Sequence, residues 1–369
     1  MPRYGVTWPE ADAATSRVAT EIEAQKLPLP PQALIDAIGG GDGSAVGRNN
    51  LRLLLSLGNL TTASRVLEPG CGFGRNARWL GPYLRTGSYD GFDIVPNLVE
   101  WGEKELTRRY PNVRFQLAQV LNKHYTGWLN VKYERGRGRG HRQGVASAAR
   151  PFAGGVRPTV GGRDLDCEAQ AARGECRGRN AFLMRQYCRS VCDDIAAAAK
   201  PAPAPLDAAT YRFPYSDASF DVVFSPSVFT HLLRRPLENY LAESCRVMRP
   251  GATALLWFFV LDERARSALT TQPMSFPRGL RAEYHDDVSF ALKAAPEAMI
   301  AFNASFIRGA LVKAGFERRS IRVLWGSWRA PPGSGNAVPP PPAWTGTPVP
   351  HTEAQDVILA RKPAARRPG

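Results

Sequence analysis

One ten-residue stretch, Val66-Leu-Glu-Pro-Gly-Cys-Gly-Phe-Gly-Arg75, constrains this chain more than any other. A short apolar run ends in an acid, glycines follow at alternate positions, and helical apolar spacing then continues to Leu84. Glycines at that spacing let backbone approach a ligand where any Cβ would collide. A second acid, Asp93, closes the next strand-like run (Ser88 to Ile94), nineteen residues after Gly74. That is the spacing at which an acid reaches the ribose hydroxyls of a nucleoside ligand. A dinucleotide fingerprint would place glycine at position 75, which is Arg75 here, so NAD is disfavoured. ATP is disfavoured too, because no Gly-Lys-Ser/Thr loop is present.

Around this stretch the chain alternates strand and helix patterns. Residues 31–60 have helical spacing interrupted at Gly39-Gly-Gly-Asp-Gly43. Arg65-Val-Leu67, Ser88 to Ile94 and Val113 to Leu117 read as strands separated by helices. The alternation stops from Ala118 to Ser219 and resumes at Phe220-Asp-Val-Val-Phe224. A helix from Pro236 to Arg249, a strand from Thr253 to Val260, a helix from Ala304 to Ala314 and two final strands (Ile321 to Leu324 and Val357 to Ala360) follow. Such alternation indicates a parallel sheet covered on both faces. With 369 residues, 44% of them hydrophobic, a sizeable core is available. No stretch approaches the roughly 18 apolar residues of a membrane span, and the start of the chain has no signal-peptide pattern.

Six segments carry a family resemblance: Glu68-Pro-Gly-Cys-Gly-Phe-Gly74, Tyr89-Asp-Gly-Phe-Asp-Ile94, Phe213-Pro-Tyr-Ser-Asp-Ala-Ser-Phe-Asp221, Ser227-Val-Phe-Thr-His231, Arg246-Val-Met-Arg-Pro-Gly251 and Gln355-Asp-Val-Ile-Leu359. Together they resemble a class I S-adenosylmethionine-dependent methyltransferase over residues 31–125 and 211–362. The resemblance implies an α/β fold: a doubly wound, seven-stranded, mainly parallel Rossmann-like sheet whose last strand is antiparallel. It implies S-adenosylmethionine as cofactor, with no metal. Gly70, Cys71, Gly72 and Gly74 would form the cofactor loop, Glu68 would orient that loop and the methionyl amine, Asp93 would hold the ribose hydroxyls, and Ile94 would pack on the adenine. Gln119 takes the third-strand position that usually carries an acid facing the adenine amino group. Ser225 is a further cofactor-site candidate, and Ser227 a candidate for the pocket lining. His231, after the fourth strand, is the candidate general base; a histidine bonded to backbone at that junction is the competing reading.

Four of the six cysteines, Cys167, Cys176, Cys188 and Cys192, lie between the third and fourth strands. With Asn180-Ala-Phe-Leu-Met184 they resemble a ShK-toxin-like module over residues 164–195, lacking that family's outermost bridge. The resemblance implies bridges Cys167–Cys188 and Cys176–Cys192, and zinc is the competing reading of the four thiols. Bridges would favour an oxidising compartment, whereas the absence of a leader pattern makes cytoplasmic the default. Residues 1–30 read as an N-terminal extension, 126–163 as a basic Gly/Arg-rich linker, 196–210 as an Ala/Pro linker, 331–350 as a Pro-rich loop and 363–369 as a basic tail. The net charge is +15, of which residues 126–165 carry +6 and the last nine residues four basic side chains. Weak anionic or RNA contacts through 134–142 are therefore an expectation, and no membrane partner is expected. Methyl transfer to an unidentified small-molecule or side-chain acceptor is the leading functional expectation. A non-catalytic binding protein that uses the insertion and linker, and an RNA methyltransferase, stand beside it.

Overall fold

A computed structural model describes residues 5–38, 40, 42–122, 159–160, 163–164, 206–263, 265–266, 282–285, 288–290, 296–329 and 354–365. The chain divides into two compact units, residues 1–134 with 206–369, and residues 135–205.

The first unit opens with three helices: α1 (Trp8–Ala24), α2 (Gln32–Ala37) and α3 (Gly43–Leu57). Residues 1–30, read above as an extension, thus contribute α1, whose Ala11, Val18 and Ile22 are buried in the core. The glycine-rich stretch from Gly39 separates α2 from α3. Asp42 then starts α3 by accepting hydrogen bonds from the amides of Ser44 and Ala45 at 2.9 and 3.0 Å, partners that the first turn of a helix otherwise lacks. Strand β1 (Arg65–Pro69), helix α4 (Ala77–Tyr83), strand β2 (Ser88–Asp93), helix α5 (Pro96–Gly102) and strand β3 (Val113–Leu117) follow in alternation.

Short β4 (Val120–Leu121) leads out to the inserted residues. Within the second unit the described elements are β5 (Thr159–Val160) and β6 (Arg163–Asp164), an antiparallel pair. The chain returns through β7 (Leu206–Asp207), which pairs in parallel with β4. The points of departure and return are therefore side by side. The cysteines at 167, 176, 188 and 192, their expected bridges and the 134–142 segment lie outside the described residues. Cys71 and Cys245 are buried free thiols.

The remainder comprises β8 (Phe220–Ser225), α6 (Arg234–Val247), β9 (Met248–Phe258), β10 (Val260–Leu261), β11 (Ala282–His285), β12 (Val288–Phe290), β13 (Ile300–Asn303), α7 (Ala304–Lys313), β14 (Arg322–Leu324) and β15 (Asp356–Arg361). Helix α6 stops at Val247 and β9 starts at Met248, earlier than the spacing suggested. Pro250 forces the residue before it into extended backbone, and a register shift against β8 absorbs Arg249 to Ala252, with Gly251 at φ +81°.

Seven strands form one sheet in the order β14-β15-β9-β8-β1-β2-β3. Only β15 runs antiparallel to its neighbours. A second sheet has the order β10-β13-β12-β11. Adjacent residues on the central strands go to opposite cores. Val66, Val222, Leu255 and Val357 pack with Leu51, Leu54 and Trp79 of α3 and α4. Their neighbours Leu67, Val223, Leu256 and Ile358 pack with Leu237 and Leu241 of α6 and with Ile307 and Leu311 of α7. This period-two division is why the strands read as continuous apolar runs. Chain order reverses between β1 and β8, which opens a crevice at their carboxyl ends.

Candidate active site

The crevice is a cavity of about 500 Å³, within the roughly 300–1,000 Å³ range of small-ligand pockets. It is lined by the loop after β1 (Gly70, Cys71, Gly72), the end of β2 (Asp93, Ile94), the loop after β8 (Pro226, Ser227, Val228) and the turn that ends at His231. Asp36 and Ile38 of the α2 region, Asn50 of α3 and Gln355 just before β15 complete much of the wall.

The three glycines of the loop serve different ends. All have positive φ: +73° at Gly70, +54° at Gly72 and +87° at Gly74. A Cβ on Gly70 would lie 2.1 Å from a methyl of Val228, and one on Gly74 would lie 2.5 Å from the Phe115 ring. At Gly72 the nearest atom would be an Ile38 methyl at 3.6 Å, an ordinary contact distance. Gly72 thus borders open space, while Gly74 packs inward away from the cavity lining. Gly74, expected in the cofactor loop, is not among the cavity-lining residues, and Phe115 and Leu106 occupy the space beside it.

Asp93 is held by the loop it faces. One carboxyl oxygen accepts from the Gly72 amide at 2.8 Å and the other from the Val95 amide at 2.9 Å. Burial raises its pKa, against the pull of those amides. Each carboxylate oxygen has a second lone pair, so the pair can take two further donors side by side. That is the hydrogen-bonding complement of a vicinal diol.

Glu68 ends a buried polar chain. The Asn50 amide nitrogen donates to the Asn76 side-chain oxygen (2.9 Å), Asn76 donates to one Glu68 oxygen (2.6 Å), and the Tyr89 hydroxyl donates to the other (2.5 Å). Burial pushes the Glu68 carboxyl up to about 8, opposed by the Tyr89 and Asn76 hydrogen bonds. The Asn50 side-chain oxygen, buried at the cavity wall, has no hydrogen-bond partner. Burial raises the Cys71 thiol as well, which keeps it protonated, its Sγ 3.6 Å from the Gly72 carbonyl. None of Asn50, Asn76 and Tyr89 is given a site role by the sequence; Tyr89 opens the Tyr89-Asp-Gly-Phe-Asp-Ile94 segment, and Asn76 lies two residues beyond the last loop glycine.

Since the folded state holds the Glu68 proton to about 8 and the unfolded chain releases it near 4.5, this group's contribution to stability is fully present below 4.5 and is lost as pH rises to about 8. The slope is at most ~1.4 kcal/mol per pH unit. The ligand-free protein is therefore expected to lose stability between pH 5 and 8 relative to Glu68→Gln. Urea unfolding of both proteins at the two pH values checks this, and parallel pH trends would contradict it.

Two more expected site residues lie off the cavity. Gln119 is exposed, and its carbonyl accepts from the Leu206 amide at 2.7 Å, pairing the strands that flank the insertion; Val120 and Asn122 line the cavity instead. Ser225 is fully buried and donates to the Pro69 carbonyl at 3.0 Å, tying β8 to the end of β1. Ser227 does line the cavity, as does His231. The His231 Nδ1 lies 2.9 Å from the Glu297 carbonyl. A carbonyl only accepts, so Nδ1 carries a proton, and in the neutral tautomer the lone pair is on Nε2. The bond to backbone named as the competing reading of this histidine is thus present in the structure.

Residues 174–256 match the family model described as a methyltransferase domain; the described part of that match runs from β7 through most of β9. The glycine loop lies outside the matched stretch and carries its own geometry, given above. This partial match supports an S-adenosylmethionine-dependent methyltransferase. The same match implies S-adenosylmethionine as the methyl donor. Solved structures similar to this methyltransferase include a SAM-dependent methyltransferase from Methanosarcina mazei (14% identity, 83% of this chain and 95% of that one, TM-score 0.39). Another comes from Aquifex aeolicus (12%, 90% and 98%, TM-score 0.39). The CurJ carbon methyltransferase is similar at 13% identity, over 87% of this chain and TM-score 0.37; the match spans 54% of CurJ. These are distant likenesses. Among the described residues, no helix of the methyltransferase is long and apolar enough to cross a membrane.

Proposed function

We propose that this methyltransferase transfers the methyl group to a small molecule or side chain bound in the inner part of the cavity, with His231 as general base. When bound, the cofactor supplies an electrophilic methyl group on a sulfonium centre. The protein's task is to hold donor and acceptor in line and to take up a proton. Asp93 would hold the ribose hydroxyls, its two oxygens already aligned by the amides of Gly72 and Val95. Ile94 would lie against the adenine. Glu68 and the unpartnered Asn50 oxygen would take the ammonium group of the aminoacyl end, and Gly72 would leave room for backbone contact. The observation that carries this reading is the placement of these groups and His231 around one cavity at the β1/β8 crevice.

The test is a pair of measurements on the full chain. Calorimetry with S-adenosylhomocysteine is expected to show one site of micromolar affinity. Incubation with methyl-labelled S-adenosylmethionine and a fractionated cell extract is expected to place label in a small-molecule or protein fraction. Label found only in RNA would replace this reading with the RNA one. Binding without transfer to any fraction would support a non-catalytic binding protein instead.

A further inference from the structure

The cavity separates charge from apolar surface. Its charged lining groups, Asp36, Glu68, Arg75 and Asp93, come from the α2 region and from the ends of β1 and β2 with the loop between. The wall supplied by the segments after β4, β8 and β9 and before β15 is different. Val120, Asn122, Leu232, Phe259, Met299 and Gln355 line it, and among the described residues there no acid or permanent cation faces the cavity.

One polar atom on that wall is unexplained. The Gln355 amide nitrogen donates to Ser227 Oγ at 2.8 Å, and the Gln355 Oε1 is buried with no hydrogen-bond partner. A buried carbonyl without a donor is costly and rarely tolerated. Two features hold it there. Because β15 runs antiparallel to β9, its first residue lies where the parallel strands end, which brings Gln355 to the cavity. The next residue, Asp356, is fully buried and accepts hydrogen bonds from the amides of Val260 and Gly326 and from the Trp328 indole at 2.9, 2.8 and 2.7 Å. On the other side, Ser227 sits at φ +63°, a conformation that a non-glycine residue adopts only when its surroundings demand it.

We propose that Gln355, positioned by Ser227, is a specificity residue of the acceptor subsite, and that the acceptor is an uncharged, largely apolar molecule that presents a hydroxyl or N–H to Gln355 Oε1. This inference rests on the methyltransferase reading of the cavity and extends it to a substrate class. A carboxylate or phosphate on the acceptor would meet no opposite charge on this wall. A donor group would satisfy Gln355 Oε1, which lacks a partner on this wall.

The probes are two matched pairs, phenol with anisole and indole with N-methylindole, titrated into protein saturated with S-adenosylhomocysteine. The methylated partner of each pair keeps the shape and loses the donor. Phenol and indole are expected to bind at least tenfold more tightly than their partners. Gln355→Leu is expected to abolish that preference and leave S-adenosylhomocysteine affinity unchanged. Ser227→Ala, a smaller change that frees the amide to turn, is expected to reduce the preference and keeps the test open should the first variant fold poorly. Equal binding within the pairs, no binding of phenol or indole, or an undiminished preference in both variants would overturn the proposal. Failure of S-adenosylhomocysteine itself to bind would instead remove the reading on which the proposal rests, and calorimetry separates the two failures.

Discussion

Asp93→Ala is expected to weaken binding of S-adenosylhomocysteine by roughly 10²–10⁴-fold, the equivalent of two hydrogen bonds to a charged group at ~1.5–3 kcal/mol each. The Asp93 carboxylate already accepts from the amides of Gly72 and Val95, so its two oxygens are fixed before the ligand arrives and little ordering cost remains. The same hydrogen bonds mean that the substitution leaves two amides without an acceptor. Asp93 borders the cavity, so water can reach those amides, and the loss of folded stability is expected to be small beside the loss of affinity. Asp93→Asn separates the two effects: its side-chain oxygen still accepts from one amide, but its NH₂ opposes a hydroxyl donor. Calorimetric affinity and thermal midpoint, measured on all three proteins, decide the matter. Wild-type affinity in Asp93→Ala would remove the ribose role from this residue.

His231→Ala is expected to lower methyl transfer by about 10²–10⁴-fold, the usual contribution of a positioned general base. S-adenosylhomocysteine affinity should not change. The argument is geometric. His231 is fixed by its own amide, which donates to the Val228 carbonyl, by its carbonyl, which accepts from Asn122, and by Nδ1 on the Glu297 carbonyl. With Nδ1 protonated, only Nε2 can take up a proton. The wild-type rate should therefore fall with unit slope on the acid side of the pH profile, and that limb should be missing from the variant. Single-turnover transfer of labelled methyl to the fraction identified in the labelling experiment measures both. Equal rates and matching profiles would show that the acceptor's nucleophile attacks without giving its proton to this ring.

Much of the framework is legible along the chain because the physics behind it is local. Alternating strand and helix periods in 64–117 and 220–260 reflect residues that send successive side chains to opposite faces. The glycine loop and Asp93 stand out because close backbone approach, and the ribose role proposed for the acid, demand particular residue types at particular spacings. What escaped depends on contacts between distant segments. Gln119 follows the third strand as expected, but pairing of β4 with β7 commits its carbonyl to Leu206 and leaves its side chain exposed. Ser225 lies where a pocket residue could be, but the close approach of β8 to β1 turns its hydroxyl to Pro69.

The sequence by itself determined the fold class, the glycine loop and its partner acid, and the position of a basic insertion between two strands. Each is a pattern within a few tens of residues, set by backbone sterics and period. Only the tertiary structure decided that Gly72, not Gly74, borders the cavity, that Glu68 ends a chain running from Asn50, that His231 is oriented by a carbonyl 66 residues away, and that Gln355 reaches Ser227 across 128 residues. Those pairings arise from sheet order and from the reversal of β15, which bring together atoms that no spacing along the chain relates.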